Sequence, residues 1–354
     1  MAFENHAPLV EVTRGEITES VHYGAFCIAD RGGQVIAHAG DPKYVTFPRS
    51  SLKPFQALSF IEQGGAEHFG LTGEEIAILC ASHAGTALHT SVLEGMHQKI
   101  GAHEEDLSCG VHWPYDKNTR EAMMLAGQSP TAFHHNCSGK HTGMLALAKL
   151  LDAPLKDYLN LQHPVQVTVR ETIGEFSGIE PKRMPVGIDG CSAPVYGMSM
   201  EKMAQAVAKM ADPTGLEPKR KAACQLITSA MTINPVLVAG PGQFDTDLMS
   251  VTKGKVFSKG GAEGYLIIGV LPGAISQNSP GIGIAIKISD GDARGRARAS
   301  VGLTILEAMG VLDQNDLERI DSYGNVPVRN WRKLEVGEVR SVFSLPDLSQ
   351  QLAS

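Results

Sequence analysis

Strand-forming segments stand at both ends of this chain with a long helical stretch between them, an order that limits the folds open to it. Near the start, Leu9 to Val12, Ile17 to Ile28 and Gln34 to His38 read as strands, punctuated by Arg14-Gly15 and the Gly32-Gly33 turn. They predict an antiparallel meander. From Pro54 to about Ile233 the apolar residues recur at helical spacing, with helices expected at Ser138 to Leu151, Pro164 to Phe176, Met200 to Met210 and Pro218 to Thr232. A Ser91-x-x-Glu94 capping box predicts the start of one further helix, with Gly101 behind it. Strands return at Tyr265 to Val270, Gly283 to Ile288 and Leu334 to Phe343, and Ala293 to Met309 between them reads as a helix. The expected fold is therefore α+β, an α/β sandwich in which one antiparallel sheet is built from both termini, flanked by helices, with a helical subdomain inserted. The sheet part is placed at about 1–53 and 255–354 and the mainly helical part at about 54–254 of a single unit spanning 1–354. No internal repeat or low-complexity linker divides it.

Composition narrows the function. At 354 residues the chain has room for about one to three folding units. Hydrophobic residues at 43% and charged residues at 19% exclude a disordered tail or a coiled coil. A net charge of -7 argues against nucleic acid or an anionic membrane as the partner, which points to a small-molecule substrate. Glu4 and Pro8 interrupt the first residues, where a secretory signal needs an apolar core behind basic residues, and no apolar run is long enough to span a bilayer. The expected location is cytoplasmic. The six cysteines include no C-x-x-C pair, so neither a disulfide scaffold nor a zinc ribbon is indicated.

Three short segments carry chemistry. Ser50-Ser51-Leu52-Lys53 contains S-x-x-K, which on a helical turn stacks an amine beside a hydroxyl; a serine needs such a neighbouring base to act as a nucleophile. The pattern recurs at Ser199/Lys202 and Ser250/Lys253, so context must choose among them, and Ser50 has it, at a passage from strand to helix. Cys80-Ala81-Ser82-His83-Ala84-Gly85 adds a second serine after an apolar run. Lys259-Gly260-Gly261, expected just ahead of a strand, adds a lysine with glycines that let a substrate approach the backbone. Serine acyl-transfer enzymes of the β-lactamase type have S-x-x-K, a second serine and K-T-G in the same order. The competing reading of Lys259 is a solvent-facing member of the Lys253, Lys255, Lys259 cluster.

A fourth segment, His134-His135-Asn136-Cys137-Ser138-Gly139-Lys140-His141, crowds donors and a thiol at a helix start, where the dipole favours a thiolate. Cys191 in Gly187-Ile188-Asp189-Gly190-Cys191 is the other thiol in such a setting. Two thiolates with a nitrogen ligand and a water are a tetrahedral zinc set, with a histidine favoured as the nitrogen on sequence grounds alone. The plainer alternative is that both cysteines are small buried hydrophobes.

Taken with Val10-Glu11-Val12-Thr13-Arg14-Gly15, the segments PRSSLKPFQ, CASHAG, HNCSGKHTGML, GIDGCSAP, Phe244-Asp245-Thr246 and KGGAEG make the chain resemble the L-asparaginase II family, the rhizobial-type or class 3 asparaginases. The resemblance spans nearly the whole chain. It implies a fold related to serine β-lactamases and glutaminases, a homodimer, and hydrolysis of L-asparagine to L-aspartate and ammonia. It also implies two Ser-Lys tandems, falling on Ser50 with Lys53 and Ser82 with Lys259, and one Zn2+ per subunit on Cys137, Lys140 and Cys191 with a water. Lys140 thus replaces the histidine favoured above, and it must be neutral to coordinate. Asp189 stands near the ligands and is grouped with Arg49 and His141 as substrate-binding residues; Arg49 and His141 are assigned to the α-carboxylate from charge and proximity in sequence.

On this reading Ser50 attacks the side-chain amide carbon, Lys53 takes its proton, ammonia leaves, and water resolves the acyl-enzyme, with Ser82 and Lys259 relaying protons. A glutaminase or other small-amide amidohydrolase on the same scaffold is the alternative, because one methylene separates the substrates and is worth only about 1–3 kcal/mol of discrimination. A non-catalytic zinc-binding sensor is a third reading, which the three intact segments disfavour.

Overall fold

A computed structural model describes residues 4–352. The chain forms two compact units. The sheet unit comprises residues up to Ser51, Met198–Asp212 and the chain from Asp247 on; the helical unit comprises Leu52–Gly197 and Pro213–Thr246.

The sheet unit is built on β1 (Ala7–Arg14), β2 (Ile17–Asp30), β3 (Val35–Ala39), β4 (Val256–Gly261), β5 (Tyr265–Val270), β6 (Ile282–Ile288), β7 (Val326–Arg329) and β8 (Glu335–Ser341). Their order is β7-β8-β1-β2-β6-β5-β4, with β3 also on β2, and every pairing is antiparallel. N-terminal and C-terminal strands meet where β1 pairs β8 and where β2 pairs β6. The fold is α+β, with one antiparallel sheet drawn from both ends of the chain.

Strand alternation shows how the sheet is covered. On β6, a Cβ at Gly283 would lie 2.0 Å from the Ala204 carbonyl oxygen and 2.4 Å from the Ala208 nitrogen, so this residue faces the helix Met200–Ala211 at backbone contact. Ile286, an odd number of residues away and so on the other face, lies beside Gly302 of the helix Ala297–Ala308. One helix therefore covers each face, which is why β5 and β6 are buried along their whole length and read as continuous apolar runs. The helix Met200–Ala211, which the sequence sets inside the helical block, packs in the sheet unit.

Several boundaries differ from expectation for identifiable reasons. Lys259-Gly260-Gly261 lies within strand β4 instead of preceding a strand. The helix expected from Ala293 begins at Ala297, because the Asp292 carboxylate accepts the amide hydrogens of Arg296, Ala297 and Arg298, each at 3.0 Å. Ser91 does not start a helix. It sits inside the helix Ala87–Ile100, where its hydroxyl donates to the Leu88 carbonyl at 3.0 Å, and Thr86 occupies the cap. Strand β7 had no sequence counterpart; it lies at the sheet's edge, where Pro327 is tolerated.

The helical unit holds the helices Lys53–Ile61, Gly73–Leu79, Ala87–Ile100, Ser138–Leu150, Pro164–Ser177 and Pro218–Ile233, and a hairpin of Val186–Ile188 with Pro194–Tyr196. The helix Ser138–Leu150 runs through its centre, buried from Ser138 to Ala148. Among the described residues no helix is long and apolar enough to cross a membrane.

Candidate active site

In the helical unit, the first residue of the helix Lys53–Ile61 is a lysine with no solvent exposure. Such a group needs a full set of acceptors, and it has three. Lys53 Nζ donates to the Ala81 carbonyl at 2.5 Å, to Ser82 Oγ at 3.0 Å and to the Asn136 carbonyl at 3.3 Å. Two motifs separated along the chain, CASHAG and HNCSGKH, thus meet on one amine.

The meeting depends on close backbone approach. A Cβ at Gly139 would lie 2.0 Å from the Ile78 carbonyl oxygen, so the helix Ser138–Leu150 touches the last turn of Gly73–Leu79, just before Ala81 and Ser82. His83 fastens the same junction. Its Nδ1 accepts from the Gly85 amide at 3.2 Å, and its Nε2 lies 2.8 Å from Ser138 Oγ, which itself donates to the Phe133 carbonyl at 3.1 Å. Nε2 is therefore the protonated nitrogen, and burial holds the ring neutral, well below the ordinary histidine range.

Cys137, Lys140 and Cys191 come together in this unit and are all buried. Lys140 Nζ lies 2.9 Å from Cys191 Sγ. A hydrogen bond from Cys191 holds the Cys137 thiol well below its usual range, against burial and with help from the Lys53 and Lys140 charges. Cys191 is raised by the same bond, so the two thiols titrate as a pair. Burial works against the Lys140 ammonium, but Cys137, Cys191 and Asp189 together raise it above its ordinary value. Two sulfurs and a lysine nitrogen in a buried pocket are a donor set suited to tetrahedral zinc with a water in the fourth place, provided that Lys140 gives up the proton its sulfur neighbours favour. Among the described residues no three of His, Cys, Asp and Glu gather as a metal cage, so this set depends on its lysine. Asp189 follows the strand Val186–Ile188 and starts the loop that carries Cys191; its carboxylate accepts from the Gly190 amide at 2.8 Å.

His141 lies in the interior of the helical unit. It is fully buried, and its Nδ1 lies 2.6 Å from the Tyr158 hydroxyl, which accepts from the Ser108 amide at 2.9 Å. Burial, then the Lys140 charge, keeps the ring neutral.

In the sheet unit, Arg49 and Ser50 lie in the short turn Arg49–Leu52, and Arg49 has a left-handed backbone at φ 54°. A non-glycine residue in that region is a strained position of the kind that clusters at functional sites. The turn is fixed to β4: Ser51 Oγ donates to the Lys259 carbonyl at 2.8 Å, and a Cβ at Gly261 would lie 2.4 Å from the Pro48 carbonyl oxygen. Lys259 is buried, not solvent-facing, and its Nζ donates to the Gly260 carbonyl at 2.7 Å. Lys255 points elsewhere, to the Val311 carbonyl at 3.1 Å. The sequence reading missed Ser51 and Arg298, whose guanidinium donates to the Gly261 carbonyl at 2.7 Å. Ser51 was legible in principle, as the neighbour of Ser50 in the same motif; Arg298 left no local signal.

Comparison with known proteins adds a family. No curated protein matches the chain. Among solved structures, Mglu in its native form matches with TM-score 0.42 at 15% identity over 83% of this chain. This chain spans just under two thirds, 66%, of the Mglu chain. A probable glutaminase from Bacillus subtilis complexed with 6-diazo-5-oxo-L-norleucine matches with TM-score 0.37 at 14% identity, covering 81% of this chain and 82% of that one. A β-lactamase from Mycobacterium bovis matches with TM-score 0.42 at 13% identity, over 80% of this chain and 94% of that one. The description of the L-asparaginase II family matches residues 10–341, from β1 to the last residue of β8, and the chain belongs to that family.

Proposed function

We propose that this amidohydrolase is an L-asparaginase, hydrolysing L-asparagine to L-aspartate and ammonia through a serine acyl-enzyme. The observation that supports the reading best is the buried Lys53 amine at 3.0 Å from the Oγ of the half-buried Ser82. Family membership supports amide hydrolysis.

In the proposed reaction Lys53 first gives up one of its three donated protons, by way of Ser82 Oγ to solvent; Ser50 Oγ then bonds to the side-chain amide carbon and its proton passes to the neutral Lys53 Nζ. Collapse of the tetrahedral adduct breaks the C–N bond, and the proton goes to the departing nitrogen, which leaves as ammonia. Water then attacks the aspartyl ester, and Ser50 recovers its proton. Ser82, which already accepts a hydrogen bond from Lys53, relays protons, with Lys259 completing the second tandem. Arg49 holds the α-carboxylate as a fixed cation. Cys137, Lys140 and Cys191 would hold zinc, which when bound supplies a Lewis acid that orients substrate or polarises water. The active form is proposed to be a homodimer.

Ammonia release from L-asparagine by wild type, Ser50→Ala and Ser82→Ala tests the assignment. Loss of turnover in Ser50→Ala with a folded protein is expected, and full retained activity would remove Ser50 as nucleophile. The ratio of kcat/KM for L-asparagine over L-glutamine tests the substrate; a ratio below one would make the enzyme a glutaminase.

A further inference from the structure

Lys287 is the one charged residue of β6, in the otherwise apolar run Ile282–Ile288. An even number of residues separates it from Gly283, so its side chain stands on the face that the helix Met200–Ala211 covers, between Tyr265 and Ala25 on the flanking strands. It is 7% exposed. Burial works against its ammonium and Arg49 repels it, while Glu263 and Asp290 favour the charge, and the balance holds it below the ordinary lysine value. A methionine would fill this space without desolvating a charge.

The ammonium holds the loop that joins β4 to β5. Lys287 Nζ donates to the Glu263 carbonyl and, at 2.8 Å, to the Ile288 carbonyl. Glu263 is the middle residue of that loop and has a left-handed backbone at φ 58°, a conformation that a residue with a side chain adopts only when its surroundings hold it there. A second cation grips the start of the loop, where Arg298 Nη1 donates to the Gly261 carbonyl at 2.7 Å. Gly261 is the residue whose Cβ would lie 2.4 Å from the Pro48 carbonyl oxygen. Ser51 closes the contact, its amide donating to the Pro48 carbonyl at 3.1 Å and its hydroxyl to the Lys259 carbonyl at 2.8 Å. The loop held by the two cations is thus continuous with the surface on which Pro48, Arg49, Ser50 and Ser51 are seated.

We propose that Lys287 is a positioning residue for Ser50: together with Arg298 it fixes the loop between β4 and β5, and through the contact of Gly261 with Pro48 it sets the place of the turn that carries Ser50. The contacts all lie within the sheet unit. The consequence for turnover rests on the reading of Ser50 as the nucleophile.

The test compares wild type, Lys287→Met, Lys287→Arg and Arg298→Met as full chains by urea unfolding, by exchange of the Ser51 amide and by ammonia release from L-asparagine. In Lys287→Met the urea midpoint should not fall, because desolvation of the ammonium is relieved as its hydrogen bonds are lost, and the exposed Glu263 can turn to water. The Ser51 amide should exchange about tenfold faster, as loss of one charged hydrogen bond implies. Turnover should fall with it, kcat by about a hundredfold for a displacement near 1 Å. Lys287→Arg, which keeps the charge and the donors, should recover most of both. Arg298→Met should act in the same direction, and the double variant should lose less than the two single losses multiplied, because both cations hold one loop. Unchanged exchange of Ser51 in a folded Lys287→Met chain, or no recovery in Lys287→Arg, would overturn the proposal. A fall in the urea midpoint large enough to account for the faster exchange, failure to fold included, would make Lys287 a structural residue only and overturn it equally. Absence of turnover by the wild type would remove the proposed function instead, and exchange of the Ser51 amide would still decide whether Lys287 positions the turn.

Discussion

Gly139, inside HNCSGKH, provides a sharp test of how the sequence holds Lys53 and Ser82 together. A Cβ there would lie 2.0 Å from the Ile78 carbonyl oxygen and 2.9 Å from its carbonyl carbon. A carbon normally comes no closer to a carbonyl oxygen than about 3.3 Å, so in Gly139→Ala the two helices must part by about 1.3 Å. The obstacle is backbone, which cannot rotate away, and such overpacking costs roughly 3 kcal/mol. Alanine recovers about 1 kcal/mol of helix propensity, leaving a net loss of about 2 kcal/mol. Gly143→Ala is the control on the same helix: its Cβ would meet only the flexible Leu79 side chain, 3.1 Å away at the nearest atom, and its change should stay within about 1 kcal/mol. Because Ile78 precedes Ala81 and Ser82 by a few residues, the displacement also reaches the acceptors of Lys53 Nζ, and a misplacement near 1 Å lowers kcat by about a hundredfold. Urea unfolding and ammonia release on both variants decide it. If Gly139→Ala is no less stable and no less active than Gly143→Ala, the close approach does not set the site.

Other expectations follow from single contacts. Tyr158→Phe removes the hydroxyl shared by His141 Nδ1 and the Ser108 amide, and should lower stability by about 1–3 kcal/mol in urea unfolding. Arg220 pairs through two nitrogens with Glu62, at 2.8 and 2.7 Å, and also with Glu175, so Arg220→Ala should cost about 1–3 kcal/mol and make the urea midpoint less sensitive to salt. Burial pushes the Cys27 and Cys224 thiols up to about 12. Unfolded thiols ionise near 8.5, so the stability tied to these groups is complete below about pH 8.5 and is lost as pH rises toward about 12. The urea midpoint should fall over that window, less so in Cys27→Ala; a midpoint independent of pH there would contradict the burial argument. Metal analysis should find one zinc per chain in the wild type and its loss in Cys191→Ser, and retention of the full content in that variant would remove Cys191 as a ligand.

The sheet was legible wherever one chemical pattern served one purpose. Tyr265 to Val270 and Gly283 to Ile288 read as strands because both faces are covered and every position is apolar or small. β4 did not, because Lys259, Gly260 and Gly261 interrupt the apolar pattern: the lysine is buried on its own carbonyl partner, and Gly261 is small because Pro48 lies against it. β7 failed for the opposite reason, since an edge strand that is half exposed needs no strong pattern. The Ser91 capping box was a false signal, because four helical residues already precede it and Thr86 caps the helix. In the site, S-x-x-K and the thiol motifs were visible as residue types, but what brings Ser82 to Lys53 is the missing side chain of Gly139, which a sequence states only as one glycine among 38. For His141, charge and proximity in sequence say nothing of burial, and the structure buries the ring fully against Tyr158.

The most direct test of the proposed function is ammonia release from L-asparagine by zinc-loaded wild type and Ser50→Ala side by side, with D-asparagine and L-glutamine as comparison substrates. Selective turnover of L-asparagine that disappears in a folded Ser50→Ala protein is the predicted result. Absence of turnover by the zinc-loaded wild type, or undiminished turnover by Ser50→Ala, would contradict it.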